Sequence, residues 1–310
     1  MYPRMKSSAF YDTYHGHDIA HLEYVLEMIK STKGRSHSIV YLIGDSTLDN
    51  KYWFSETARA TNGYQSILEP PTSKQDIAFH LNSEIVKHEL SGSYTALNCA
   101  VEESTVGGRT FGLLGQDKFV ANNFTENDVI VVSMGGNDIA LRPSLCTILN
   151  AAMLLSCTTT SCLENCSCGC SLPCSEYCCG CTTACLSNVL AWPCGYGYFL
   201  HLFGTRLKNI VLRILANRPV KPKKVVCCML YYLDKKPGGS WAEPALAALG
   251  YNRNPGHLQA VLKNLFRDAT SKISIPGTEV IAVPLFKALD GEVSTLTIFG
   301  FGCLFAMCIY

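Results

Sequence analysis

A chain of 310 residues can bury one large hydrophobic core or two modest ones. Hydrophobic residues make up 48% of the sequence and charged residues 16%, which suits a globular protein with much buried surface. Because the formal net charge is only +1, composition gives no support to nucleic-acid binding or to electrostatic attraction of an acidic partner.

The N-terminal stretch MYPRMKSSAFYDTYHGHDIAHLEYVLEMIK has no apolar core long enough for a signal peptide. We therefore expect an intracellular, cytoplasmic protein with reduced thiols. No run of about 20 apolar residues occurs, so no ordinary transmembrane helix is expected.

Predicted strands alternate with predicted helices along the chain. Three helical patterns place apolar residues on one face, namely Ile19, Leu22, Leu26 and Ile29; Ile77, Leu81, Ile85 and Leu90; and Leu258, Val261, Leu262, Leu265 and Phe266 after a helix-starting Pro255. Five strands rich in Val, Ile or Leu are predicted at Ile39–Gly44, Tyr94–Cys99, Asp128–Met134, Lys224–Leu230 and Thr278–Leu285. The alternation predicts an α/β protein with a mostly parallel five-stranded sheet, whose binding site lies beyond the carboxyl ends of the strands.

A long segment interrupts this pattern after the third strand. Residues 143–205 contain no Lys or Arg, and twelve of the 17 cysteines fall between Cys146 and Cys194. Helical periodicity resumes around Tyr198–Asn217. We therefore predict a single domain over residues 1–310, with a cysteine-rich insertion at 144–195 and an apolar tail at 294–310.

Two of the predicted strands end in groups that suit nucleophilic catalysis. The first strand runs into Asp45 and Ser46, and the third runs into the sequence Gly-Gly-Asn-Asp, which contains Asn137. A serine nucleophile needs a base, a group that orients the base, and donors for the oxyanion. Asn137 offers a side-chain amide donor and Asp45 a supporting carboxylate, although either stretch on its own also fits an ordinary turn or helix cap.

The sequence GDST after the first strand and GGND after the third resemble blocks I and III of the SGNH, or GDSL-type, hydrolases. Between them, LNCAVEESTVGG stands where that family has block II, and the likeness covers residues 37 to 290 apart from the insertion. The resemblance implies a three-layer α/β/α fold similar to flavodoxin and an esterase, lipase or acylhydrolase that needs no cofactor. It also implies Ser46 as the nucleophile, with its own backbone N–H and the Asn137 side chain as oxyanion donors.

Block II departs from the family pattern. The family has glycines where this chain has Ala100 and Glu103, and the second glycine lends a backbone N–H to the oxyanion. A carboxylate beside a developing anion is unfavourable, so we expect the Glu103 side chain to turn away or to pair, with Arg109 as the candidate partner. Alternatively the loop is shifted, and the backbone of Gly107 or its neighbour Gly108 approaches the oxyanion instead.

The C-terminal block departs further, because the family has Asp-x-x-His there. Asp290 stands in a fitting place, but Val293 occupies the position of the histidine, and no histidine follows His257. Valine cannot accept a proton, so the sequence does not identify a base.

Four substitutes for the missing base stay open. His257 lies at the start of a helix near the carboxyl end of the fourth strand, and His201 follows the insertion, although neither matches the family position. Glu103 or Glu292 would be a weaker carboxylate base if burial raised its pKa.

The cysteine-rich insertion allows four interpretations. Its Cys-x3-Cys pairs suit structural zinc, while its tight Cys-x-Cys steps crowd any single site. The second interpretation is a disulfide framework. The third is membrane contact or S-acylation of an uncharged segment, and the fourth is a loop that packs its cysteines as small hydrophobic residues. The candidate ligands of a zinc ion are Cys162, Cys166, Cys168, Cys170, Cys174, Cys178, Cys179, Cys181 and Cys185.

The leading functional interpretation is a serine hydrolase of SGNH type that acts on a small-molecule ester through an acyl-enzyme on Ser46. Its insertion would be a lid or would bind a membrane surface. The alternatives are a catalytically impaired relative that binds a ligand or partner, and a cysteine-rich metal-binding or membrane-attached scaffold. The charge balance predicts no nucleic-acid partner for any of them.

Overall fold

The computed structural model describes residues 3–156, 158–170, 172–173, 186–233 and 247–288. Its strands within these ranges are β1 (Met5–Lys6), β2 (Ser38–Gly44), β3 (Thr57–Arg59), β4 (Leu68–Glu69), β5 (Thr72–Lys74), β6 (Tyr94–Asn98), β7 (Val129–Ser133), β8 (Cys168–Gly169), β9 (Ala191–Trp192), β10 (Lys224–Met229) and β11 (Glu279–Pro284). Five of them form a central parallel sheet in the order β11-β10-β7-β2-β6. These are the five predicted strands, and each end lies within one residue of its prediction.

Helices cover both faces of this sheet. Successive apolar residues of β2 point to opposite faces, so that Ile39, Tyr41 and Ile43 join one core while Val40 and Leu42 join another. Buried side chains from the helices at Ile19–Lys33, Gly115–Asn123, Leu207–Leu215 and Pro255–Asp268 complete the first core. Those of Ile77–Lys87 complete the second core. The predicted α/β alternation is therefore confirmed.

Local sequence explains where the main helices begin. The Asp18 side chain accepts a hydrogen bond from the N–H of Ala20, and the Asp76 side chain accepts one from the N–H of Phe79. The last long helix begins at Pro255, as predicted, because proline there gives up an N–H that has no partner in the first turn. Leu90 was expected in the second helix but lies beyond its last residue, Lys87.

Shorter elements complete the described chain. The α-helices are Ser7–Tyr11, Tyr64–Ile67, Gly136–Ala140, Leu145–Ser156, Thr160–Cys166 and Tyr196–Leu200, with a π-helix at His201–Arg206 and 3-10 turns at Lys51–Trp53, Gly107–Arg109, Ser187–Leu190, Thr270–Lys272 and Leu285–Lys287. The strands outside the central sheet pair two by two: β1 with β4 in parallel, and β3 with β5 and β8 with β9 antiparallel. The helix predicted at Tyr198–Asn217 is thus a continuous path from Tyr196 to Leu215 that changes its hydrogen-bonding pattern midway.

The described part of the insertion contains two helices, Leu145–Ser156 and Thr160–Cys166, and the β8–β9 pair. No single helix among the described residues has both the length and the hydropathy needed to cross a membrane. These two helices, bent by 98° relative to each other, reach those values only when they are taken together. The apolar tail at 294–310 lies outside the described residues.

Gly44 is required where β2 and β7 approach each other. A Cβ at Gly44 would lie 1.8 Å from the carbonyl oxygen of Ser133, its neighbour across the sheet. The oxygen belongs to buried backbone and a Cβ is fixed by its own backbone, so no side-chain rotation would relieve the overlap. This explains why a glycine precedes Asp45 and Ser46 in the strand-end motif.

We predict that Gly44→Ala lowers the free energy of unfolding by about 3 kcal/mol, the upper end of the range for overpacked cores. Urea denaturation of the purified protein measures this difference. The matched control is Gly92→Ala, because a Cβ at Gly92 meets no heavy atom within 4 Å. Equal stability of the two variants would show that β2 and β7 can separate without cost.

Candidate active site

The structure brings together the two strand-end motifs that the sequence singled out. Ser46 follows β2 and Asn137 follows β7, and these neighbouring parallel strands end at the same edge of the sheet. Both side chains line one cavity of about 90 Å³. The rest of its described lining consists of Asp45, Thr47, Gly136, Ala140, Leu230, Tyr231 and Leu233. The lining therefore combines the polar groups of the two motifs with apolar side chains.

Asp45 connects the two motifs rather than facing the cavity as a free acid. One carboxylate oxygen accepts hydrogen bonds from the Thr47 N–H at 2.9 Å and the Thr47 hydroxyl at 2.6 Å. The other accepts from the N–H of Gly135 at 3.0 Å. Burial raises the pKa of Asp45, and these hydrogen bonds oppose that rise. The side chain thereby fixes the turn that carries Ser46 against the turn that carries Asn137.

Asn137 is buried, and its amide nitrogen donates a hydrogen bond to the carbonyl oxygen of Ser104 at 3.0 Å. A primary amide carries two N–H donors, so this bond uses one of them. Ser104 belongs to the loop after β6, and its hydroxyl donates to the carbonyl oxygen of Gly44 at 3.0 Å. The loops after three adjacent strands therefore meet around Ser46.

Glu103 pairs as expected, but with different partners. Its carboxylate accepts a hydrogen bond from the Tyr14 hydroxyl at 2.7 Å and forms an ion pair with Arg142 at 2.6 Å. The prediction that Arg109 is the partner of Glu103 is therefore wrong. The hydrogen bond from Tyr14 lowers the pKa of Glu103, with the charge of Arg142 adding to the effect. A carboxylate with a lowered pKa is a poorer base, so the condition set for Glu103 as a base is not met.

The backbone at Glu103 nevertheless has the conformation of a glycine position. Its φ is +56°, in the left-handed region that non-glycine residues seldom adopt. Glu103 therefore has a backbone conformation that glycine adopts more readily than glutamate.

The shifted-loop alternative does not supply free donors. The N–H of Gly107 donates to one Asp138 carboxylate oxygen at 2.8 Å, and the N–H of Val106 donates to the other at 2.7 Å. The N–H of Gly108 donates to the Thr105 hydroxyl at 2.8 Å. The interpretation of Gly107 or Gly108 as an oxyanion donor therefore needs a correction, because both N–H groups already donate to side chains, those of Asp138 and Thr105.

Arg109 has a structural position that the sequence did not reveal. It is fully buried and forms an ion pair with Asp117, which is equally buried, at 2.8 Å. The guanidinium also donates to the carbonyl oxygen of Gly44 at 3.2 Å and to the Ser104 hydroxyl at 3.0 Å. Arg109 thus holds the last residue of β2 through a hydrogen bond to its carbonyl oxygen. No local pattern in the sequence marks this pair, because Asp117 lies eight residues later, in the first turn of a helix.

None of the eight histidines, all of which lie within the described ranges, lines the Ser46 cavity. His257 faces the hydroxyls of Thr158 and Thr160 at 3.4 and 3.3 Å, and His201 is buried in the π-helix. Both histidine candidates for the base therefore lie elsewhere. Asp290, Glu292 and Val293 lie outside the described residues.

The described cysteines of the insertion comprise free thiols and one disulfide-bonded residue. Cys162, Cys166, Cys168 and Cys170 are free thiols, and the described residues contain no group of three or more His, Cys, Asp or Glu side chains placed to hold a metal ion. Cys146 is disulfide-bonded, and none of the other described cysteines is its partner. The remaining candidate ligands, Cys174, Cys178, Cys179, Cys181 and Cys185, lie outside the described residues.

A buried charged cluster lies close to the site in the chain and was missed by the sequence analysis. Asp49 and Lys51 form an ion pair at 2.8 Å with both side chains fully buried. Asp49 also accepts the N–H of Glu102 at 3.0 Å. The Glu102 side chain is buried. Burial raises the pKa of Glu102 to about 7, with repulsion from Asp49 as the second cause.

A scan against protein-family models and a search of curated proteins found no match to this chain.

The raised pKa of Glu102 predicts a pH-dependent stability. The unfolded chain ionises Glu102 near its ordinary pKa of 4.5, whereas the folded protein keeps it protonated up to about pH 7. The stabilising contribution of Glu102 is therefore lost as the pH rises from 4.5 through 7, and it changes little above that. Glu102→Gln removes this loss, so the variant should gain on the order of 2 kcal/mol over the parent between pH 5 and pH 8.

Urea denaturation at several pH values measures the effect. Asp76, whose pKa burial also raises to about 7, keeps part of the pH dependence in the variant. The matched control is Glu126→Gln, because Glu126 is exposed. Parallel pH profiles for Glu102→Gln and the parent would contradict the prediction.

Proposed function

We propose that the protein is a serine ester hydrolase of SGNH type, with Ser46 as nucleophile and Asn137 as oxyanion donor. The observation that carries the proposal is that Ser46 and Asn137 line one cavity at the carboxyl ends of neighbouring parallel strands. Numbered in chain order, the central strands have the sheet order 2-1-3-4-5, which is the order of flavodoxin-like folds. Helices on both faces support a three-layer α/β/α architecture.

The chemistry follows from the two donors and the apolar wall. The Ser46 oxygen attacks the acyl carbon, a C–O bond forms, and the carbonyl electron pair moves onto oxygen. The remaining amide N–H of Asn137 and the backbone N–H of Ser46 stabilise that oxyanion. Collapse expels the alcohol, which takes up the proton that Ser46 loses, and water then releases the acid. Leu230, Leu233 and Ala140 give the acyl group an apolar surface.

A second candidate is a catalytically impaired relative that binds a ligand in the same cavity. Two observations favour it: none of the eight histidines lines the cavity, and the pKa of Glu103 is lowered, which makes it a poorer base. Without a histidine to accept the Ser46 proton, attack on an ester is expected to be slower by several orders of magnitude.

We predict that a fluorophosphonate probe labels Ser46 in the purified protein near neutral pH and that short acyl esters are hydrolysed. Ser46→Ala should abolish both, and Asn137→Ala should lower the hydrolysis rate about 10²–10³-fold because one oxyanion donor is lost. Mass spectrometry of the labelled peptide and ester turnover are the measurements. The matched control is Ser55→Ala, since Ser55 is an exposed serine. Absence of labelling in the folded parent would favour the impaired relative.

We further propose that the insertion contacts an uncharged lipid surface beside this cavity. The helix Leu145–Ser156 packs against the helix that carries Asn137. It buries Thr147, Asn150, Ala151 and Leu154 on one face and exposes Leu145, Ile148, Leu149 and Met153 on the other. Val189 and Trp192 nearby in the insertion are also exposed. Exposed apolar residues with an interfacial tryptophan suit lipid contact, and the lack of Lys and Arg over 143–205 argues against recognition of anionic lipid.

We predict that the full chain floats with phosphatidylcholine vesicles and that Leu149→Asp weakens this association about tenfold or more, since a carboxylate is excluded from the acyl region. Vesicle flotation with quantification of bound protein is the measurement. Val86→Asp is the matched control, because Val86 is an exposed apolar residue on a different helix. Equal flotation of the two variants would argue for a lid that does not touch lipid.

A further inference from the structure

A second cavity, of about 600 Å³, lies between the insertion and the segment that precedes the last long helix. The described residues that line it include no charged side chain and are mainly apolar. Ile139, Pro143 and the segment 248–250 form part of the lining. The insertion helix adds residues that recur at helical spacing, namely Thr147, Ile148, Ala151, Ala152, Leu155 and Ser156. The volume and the apolar lining are those of a small-molecule site.

The two hydroxyl side chains in this lining are already bonded to the protein. The Thr147 hydroxyl shares a hydrogen bond with the Tyr198 hydroxyl at 2.7 Å. The Ser156 hydroxyl donates to the carbonyl oxygen of Ala152 at 2.5 Å. Because both hydroxyls have partners, the lining offers a ligand mainly apolar contact, which favours a hydrocarbon group over a polar or charged one.

This large cavity adjoins the Ser46 cavity at two places. Ala140 lines the Ser46 cavity and its neighbour Ile139 lines the large one, and both belong to the short helix after β7. Leu233 lines the Ser46 cavity, and its carbonyl oxygen accepts a hydrogen bond from the Tyr251 hydroxyl at 2.5 Å. Tyr251 directly follows Gly250, which lines the large cavity. An apolar group that leaves the Ser46 cavity past Ala140 therefore meets the large cavity next.

The wall formed by the insertion helix is elongated. Its lining residues extend from Thr147 to Ser156, which corresponds to about 14 Å of helix axis. Ile148 also belongs to the exposed apolar face of this helix, so the large cavity borders the surface that we propose to touch lipid. A long apolar wall between a lipid-facing surface and a nucleophile suits an extended hydrocarbon chain.

We propose that the large cavity holds a long acyl chain whose carbonyl carbon lies at Ser46, so that the substrate is a long-chain acyl ester. The insertion helix, which lies outside the stretch that resembles the SGNH hydrolases, thereby determines the chain length that the site accepts. This inference rests on the proposed hydrolase for the reaction at Ser46. The affinity of the cavity for an alkyl chain is measurable without any reaction.

Isothermal titration calorimetry on the full chain carrying Ser46→Ala tests the proposal, with dodecanoate and butanoate, the acid products of a long and a short ester, as probes. We expect dodecanoate to bind about tenfold or more tighter than butanoate, because the cavity buries its additional methylene groups. Adding Ala152→Trp should weaken dodecanoate binding about tenfold or more, because the indole takes up space in the cavity. Dodecanoate binding no tighter than that of butanoate, or unchanged by Ala152→Trp, would overturn the proposal.

Two further variants separate filling of the cavity from damage to the fold. Met153→Trp is the matched control, because it adds the same ring at the next position of the helix, which is exposed and is not part of the cavity lining. It should bind dodecanoate like the chain with Ser46→Ala alone. Ala248→Trp fills the cavity from the segment 248–250, where Ala248 is exposed, and should reproduce the loss seen with Ala152→Trp. Equal losses in Met153→Trp and Ala152→Trp would overturn the proposal.

Ester turnover by chains that keep Ser46 links the cavity to the reaction. The ratio of kcat/KM for p-nitrophenyl dodecanoate to that for p-nitrophenyl butyrate should fall about tenfold or more in Ala152→Trp and stay constant in Met153→Trp. An unchanged ratio in Ala152→Trp would overturn the proposal. If neither ester is hydrolysed, the proposed hydrolase fails, while the affinities measured with Ser46→Ala still decide whether the cavity holds an acyl chain.

Discussion

Three buried charged side chains hold together the loops that follow the three adjacent strands β2, β6 and β7. Asp45, after β2, accepts an N–H from the loop after β7. Asp138, after β7, accepts two N–H groups from the loop after β6. Arg109, in that last loop, donates back to the final carbonyl of β2. Each side chain loses water on burial, so breaking one of these hydrogen bonds would leave a buried polar group with fewer partners, and this favours the observed arrangement of the three loops. The positions of Ser46 and Asn137 depend on it.

The sequence predicted those parts of the molecule that depend on local pattern. Apolar runs fix the strands, because burial on both faces leaves few other structures for them. Ser46 and Asn137 meet because parallel neighbouring strands end at one edge of the sheet. The partners of Glu103 were not predictable, since Tyr14 and Arg142 lie 89 and 39 residues away and many cations compete for one carboxylate. Periodicity identifies elements, whereas the pairing of long charged side chains is decided by tertiary packing.

The electrostatics around Ser46 bear on the missing base. A catalytic carboxylate base needs a raised pKa and access to the serine proton. Asp45 has a raised pKa, but both of its oxygens are occupied by N–H and O–H donors from Thr47 and Gly135. Glu103 is more exposed, but its pKa is lowered. Neither carboxylate meets both requirements, and Glu103 is not among the described residues that line the Ser46 cavity.

The insertion is joined to the site at both of its ends. Its first described helix, Leu145–Ser156, packs on the short helix that begins at Gly136 and carries Asn137. The chain re-enters the sheet framework through the π-helix that ends at Arg206, which bonds to the loop after β6. Two of the three loops that position Ser46 and Asn137 therefore contact elements at the ends of the insertion, and buried charges join those loops to the third.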